Sequence, residues 1–151
     1  MGMFYEKTTE GECTRMKRIA IILDKNLEQG AAANVAALLM GQAALNEPEL
    51  YADQPVRDQS GIQHAGIRYS TVILKAGENQ LINLAKTCAE NQDGLKHLVF
   101  TQTGQSLNNA FEQYASEIAS MALEATKVVG VIVWGEDESV RAATKKFSVM
   151  K

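Results

Sequence analysis

A three-layer α/β domain is the fold class that this sequence predicts. Two observations carry the prediction: four apolar runs of strand length, and helical patterns that alternate with them along the chain. The order is strand, helix, long loop, strand, helix, strand, helix, strand, helix. It implies a largely parallel sheet, right-handed crossovers and helices on both faces.

The first run, residues 19–23, is Ile-Ala-Ile-Ile-Leu and stops at Asp24. Residues 31–44 are rich in alanine, the best helix former, and with Gly41 present a surface of small side chains. Residues 70–74 are rich in branched side chains and stop at Ala76-Gly77. Leu81, Leu84, Ala85, Cys88 and Ala89 then fall on one helical face. Residues 98–101 follow a turn at Gly94 and form the third strand. Phe111, Tyr114, Ala115, Ile118 and Ala122 share the next helical face, with Phe111 and Tyr114 expected in the core and Asn109 and Glu112 as a capping box. Residues 128–134 make the fourth strand and end at Gly135; Gly130 weakens it locally and allows close backbone approach. A short final helix spans 139–147. Residues 46–69 hold both prolines, with a short strand conceivable at 50–52. A loop of roughly two dozen residues is either functional or a misread element.

The chain has 151 residues, 15 Lys and Arg against 18 Asp and Glu, and two cysteines, Cys13 and Cys88. That length suits one domain with enough core to need no staples. Residues 1–16 lack either hydrophobic period and are expected to form a flexible tail before a single domain at 17–151. Two cysteines make no disulfide framework, so a reducing, cytoplasmic location is expected. No apolar run reaches the roughly 20 residues of a membrane helix, so no membrane association is expected. The N-terminal residues do not fit a signal peptide, and Glu6 breaks the myristoylation pattern. The acidic balance, with pI about 5.4, argues against nucleic acid.

In open α/β sheets ligands gather outside the carboxyl ends of the strands. If the strands run parallel, that rule brings together Asp24, Gly30 and Asn34 after strand one, Thr101 and Thr103 after strand three, and Trp134 at the end of strand four. Gly30 before a helix is either an anion cradle or a glycine needed for the turn. Trp134 either walls the crevice or caps the core. Asp58, Ser60 and His64 have the residue types of a hydrolytic set, but the spacing equally describes an Asx turn with a hydrogen-bonded histidine. His64, with Asp58, is the candidate acid–base group, since histidine titrates near neutral pH. Cys88 reads as core. No pair among His64, His97, Cys13 and Cys88 has a metal-ligand spacing, and no phosphate-binding glycine motif occurs, so neither metal nor cofactor is expected. The basic end, Arg141, Lys145, Lys146 and Lys151, fits a solvated helix terminus or a phosphate-bearing partner.

Asp24-x-x-Leu27-x-x-Gly30-x-x-x-Asn34, Asp58-x-x-Gly61-x-x-His64-x-Gly66, Leu74-Lys75, the helix of Tyr114, and Gly130 with Trp134-Gly135 form one pattern. It resembles a bacterial family catalogued as a domain of unknown function, number two thousand in its series, over about residues 17–147. The resemblance implies the fold of the archaeal and eukaryotic (type II) peptidyl-tRNA hydrolases, with a four-stranded mixed sheet between helices. In that fold not all strands are parallel, so the crevice loses a contributor. The hydrolases carry a lysine before the first helix and a glutamine and histidine on it. Here that stretch is Gly-Ala-Ala-Ala-Asn-Val-Ala-Ala-Leu, with Asn34 as the amide nearest the glutamine's place.

The favoured expectation is a domain that binds, or hydrolyses, a small polar or anionic metabolite at the sheet end. The alternatives are a peptidyl-tRNA hydrolase-like esterase with a non-standard site, and a non-enzymatic interaction protein whose Ala-rich helix mediates oligomerisation. A homodimer is the expected assembly.

Overall fold

A computed structural model describes residues 16–90, 94–107 and 109–151. The proposed tail, except Met16, and Cys13 lie outside the described residues. Strand β1 (Lys17–Asp24) runs through the middle of the sheet, and Ile19 to Leu23 are all buried. Ala20 and Ile22 face one layer while Ile19, Ile21 and Leu23 face the other, as the two-residue period of a strand requires. A strand covered on both faces has no solvent side, which is why its sequence is continuously apolar.

Helix α1 (Gln29–Asn46) follows, then a 3-10 turn at Pro48–Leu50. Residues 46–69 are not a structureless loop. Strands β2 (Val56–Arg57) and β3 (Gln63–His64) form a small hairpin, and Tyr51 bridges Ile67 at its base. Next come β4 (Ser70–Ala76), α2 (Glu78–Glu90), β5 (Leu95–Thr101), α3 (Gln102–Ser106) and α4 (Phe111–Ala119). A 3-10 turn (Leu123–Ala125) leads into β6 (Val128–Glu136), α5 (Asp137–Thr144) and β7 (Ser148–Val149).

The main sheet has the order β5-β6-β1-β4-β7. It has five strands rather than the four expected, because the two-residue β7 adds an edge beside β4. Only β1 and β4 pair in parallel; β6 runs against both β1 and β5. The sheet is therefore mixed, as the family resemblance implies, and not the largely parallel sheet that the apolar runs alone suggest. Helix α1 packs across β5, β6 and β1 on one face, and α2 and α5 cover the other.

Gly130 sets how close α1 comes to the sheet. A β-carbon there would lie 2.7 Å from Val35 Cγ1 and 3.1 Å from Leu39 Cδ1. This is the close approach expected from a glycine inside a buried strand. The outer face of α1 leaves Leu38 and Leu45 exposed.

Helix α4 departs from expectation. Phe111 is 74% exposed and Tyr114 only half-buried, so the proposed core stripe is not core. The helix packs against α3, whose Gly104 lies under the rings of Phe100 and Tyr114. Asn109 adopts a left-handed conformation and Ala110 stands at the N-cap without a side-chain bond, so no capping box forms. Cys88 is buried, and burial raises its thiol pKa, as a packed and inert cysteine requires. Among the described residues, no helix is long and apolar enough to cross a membrane.

Candidate functional site

Strand direction decides which residues meet. The carboxyl ends of β1, β4 and β5 lie at one end of the sheet, with the amino end of β6. Asp24 and Thr101 share that end. Trp134 does not: it pairs with Ile19 and Lys96 at the opposite end. The single crevice joining Trp134 to Asp24 is thus corrected, for the physical reason that β6 is antiparallel to its neighbours.

The other expected residues have specific local partners. Asp24 Oδ1 accepts from Asn26 N–H at 2.8 Å, closing the turn after β1. Buried Thr101 caps α3 by accepting from Gly104 N–H, and Thr103 lies half-buried within that helix. Asn34 is exposed on α1. His64 lies on the exposed β2–β3 hairpin and lines a cavity of about 340 Å³ between residues 51–56 and 63–66. Asn34 is not among the residues that line that cavity.

Asp58 organises the hairpin. Its Oδ1 accepts from the backbone of Ser60 and Ile62, and its Oδ2 lies 2.8 Å from His64 Nε2. The bond to His64, then the backbone N–H groups, hold the Asp58 carboxyl below its ordinary pKa. Ser60 contributes its backbone to this Asx turn, and among the described residues no serine hydroxyl bonds to His64. The arrangement is a carboxylate that orients an imidazole, leaving Nδ1 free for a proton or a polar ligand.

Gly30 has open space around it, with nothing within 4 Å of where a β-carbon would sit, and it lies inside α1 rather than in a left-handed turn. The turn does not require a glycine. Gly30→Ala is therefore expected to stabilise the protein by about 0.5–1 kcal/mol through helix propensity, read as a raised midpoint in urea.

The carboxyl end of β1 and β4 holds a feature that the expected residues did not include. Because α1 lies over β5, β6 and β1, the same face of β4 is left open. Ile73 and Lys75, the partners of Ile21 and Leu23, lie on that face. A groove of about 480 Å³ runs between them and the first turns of α1. Leu23, Ala32, Ala36, Ile73 and Met150 supply apolar walls, and Gln29 lies at its α1 end. Three lysines stand around it: Lys25, Lys75 and Lys151. Lys25 is fixed there because its N–H donates to Ala76 O, extending the β1–β4 pairing by one residue.

None of these three ammonium groups has an ion-pair partner among the described residues, and no Asp or Glu side chain lines the groove. The opposite end of the sheet is the reverse. There Lys17 pairs with Glu47 and Glu49, Lys96 with Glu47, and Arg18 and Arg141 with Asp137. The Glu28 carboxylate stands at the N-cap of α1 without a side-chain cap bond and offsets the positive end of that helix. The alternation within residues 71–76 already puts Lys75 beside Ile73 on one face. What the sequence could not show is that α1 leaves this face open.

Among the described residues no group of three or more His, Cys, Asp or Glu is placed to hold a metal ion. Comparison with solved structures finds a protein of unknown function from Agrobacterium tumefaciens strain C58, 18% identical, covering 89% of this chain and 98% of that one with a TM-score of 0.78. That likeness is one of fold. No curated protein matches. A family model described as "Protein of unknown function (DUF2000)" matches residues 17–151.

Proposed function

Since the chain belongs to the DUF2000 family, whose description assigns no activity, we propose a function from the geometry: the protein binds a small anionic molecule in the groove between α1 and the open face of β4. One observation carries this reading. Lys25 and Lys75 converge on one groove with no Asp or Glu side chain among its lining residues. A carboxylate or phosphate there gains the Lys25 and Lys75 ammonium groups as neighbours. The lysines are exposed, so binding weakens as salt screens them.

A thermal-shift series with small carboxylates and phosphates tests the reading. Ligand at a hundred times its dissociation constant adds about 2.7 kcal/mol, a rise of roughly 5–10 °C for a chain of this size. Lys75→Glu should weaken binding roughly tenfold while leaving the unliganded midpoint close to that of the wild type, because the side chain is exposed and unpaired. Equal shifts in the variant and the wild type would remove the groove from consideration.

A further inference from the structure

We infer that the ligand of this groove is an amphiphilic acid: a free carboxylate on an aliphatic body of medium length. The inference rests on the anion-binding reading above and adds the chemistry of the rest of the molecule.

Charge alone would be served by a patch of surface lysines. This site has an apolar floor as well. Leu23 is 1% exposed and closes the bottom, while Ile73 is 38% exposed on a sheet face where its neighbour Ile21 is buried. Ala32 and Ala36 on α1 are short enough to leave width between helix and sheet, and Met150 closes the β7 side with a flexible side chain that adapts to what lies against it. Met150 is held there by its N–H donating to Ile73 O at 3.0 Å.

Size separates the possible anions. The groove measures about 480 Å³, within the range of pockets that hold organic ligands. A water molecule takes a share of about 30 Å³, so an inorganic ion a few times larger would leave most of the groove filled with water against Ile73 and Ala36. An aliphatic chain displaces that water while its carboxylate reaches the lysines. The Lys25 and Lys75 ammonium groups fix the sign of the head group; the apolar floor fixes the nature of the tail.

The experiment is a titration of the intact protein, by calorimetry, with acetate, butanoate, hexanoate and octanoate, with inorganic phosphate, and with octylammonium. Affinity should rise about two- to fourfold per methylene, the upper figure being full burial of a methylene at about 0.8 kcal/mol. Octylammonium should not bind. Lys75→Glu should weaken every acid, whereas Ile73→Ser should flatten the dependence on chain length. If acetate or phosphate binds as tightly as octanoate, the amphiphile inference is overturned and the anion site stands. If octylammonium matches octanoate, the head-group assignment is overturned. If no anion binds, the anion site itself falls.

Discussion

Gly135→Ala is expected to destabilise the protein by about 3 kcal/mol, enough to lower the melting midpoint by roughly 6–12 °C. Gly135 stands in β6 between Arg18 of β1 and Leu95 of β5, so three strands meet at it. A β-carbon added there would lie 1.9 Å from the carbonyl oxygen of Gly94. That atom belongs to the backbone and accepts from Glu136 N–H, so it cannot rotate away as a side chain would. Either the start of β5 moves off the sheet or β6 bends away from β1. Gly94 itself has φ +77°, in the left-handed region that favours glycine. Urea unfolding of this variant beside Gly30→Ala gives opposite signs for the same chemical change. A loss under 1 kcal/mol for Gly135→Ala would show that the turn at Gly94 yields.

Glu47 carries the second large effect. It sits just beyond α1, with its side chain 15% exposed, and Oε1 accepts from Lys96 Nζ at 2.9 Å and from the Trp134 indole at 3.1 Å. Lys17 Nζ lies 3.8 Å from Oε2. The Lys96 ammonium, with the indole and Lys17, pulls the Glu47 carboxyl down to about 2 against the opposing effect of burial. A folded pKa below the ordinary carboxylate value means that ionisation favours the folded state. This stabilisation is complete above about pH 4.5 and is lost as pH falls through about 2. Lys96 is largely exposed, so solvent reduces the full conversion of the shift to on the order of 2 kcal/mol at neutral pH. Glu47→Gln should remove that amount at pH 7 and almost none at pH 2, flattening the acid limb of the stability curve. Parallel wild-type and variant curves from pH 7 to pH 2 would show that Glu47 does not govern it.

Much of the fold was legible because burial writes itself into sequence. β1 and β6 are covered on both sides and so read as unbroken apolar runs, and the alanines of α1 announce a helix. β5 was read three residues short, because Lys96 lies exposed on an edge strand and polar residues survive there. β2, β3 and β7 have two residues each, too few for any period to show. Strand direction was the costly gap. The chain between β5 and β6 contains helices, as a parallel crossover would, yet β6 runs antiparallel. That reversal moves Trp134 from the expected crevice to a buried post beside Glu47. The Phe111 and Tyr114 face has the right period, but period reports amphipathicity and not whether a surface remains to be covered. In the hairpin, the Asp58 turn and its bond to His64 were readable because both are local. The groove was not, since Lys25, Ile73, Lys75 and Met150 meet only through strand pairing.

The central place of β1 also shapes how the chain acquires its structure. One neighbour, β4, arrives after a hairpin and a long helix; the other, β6, emerges over a hundred residues further along. Pairing so distant in sequence raises the contact order and favours folding in milliseconds to seconds rather than microseconds. During synthesis β1, with five consecutive buried residues, leaves the ribosome before the other described strands and must wait for its second partner. A ribosome-bound fragment ending before β6 should therefore be far more prone to aggregate than the finished chain.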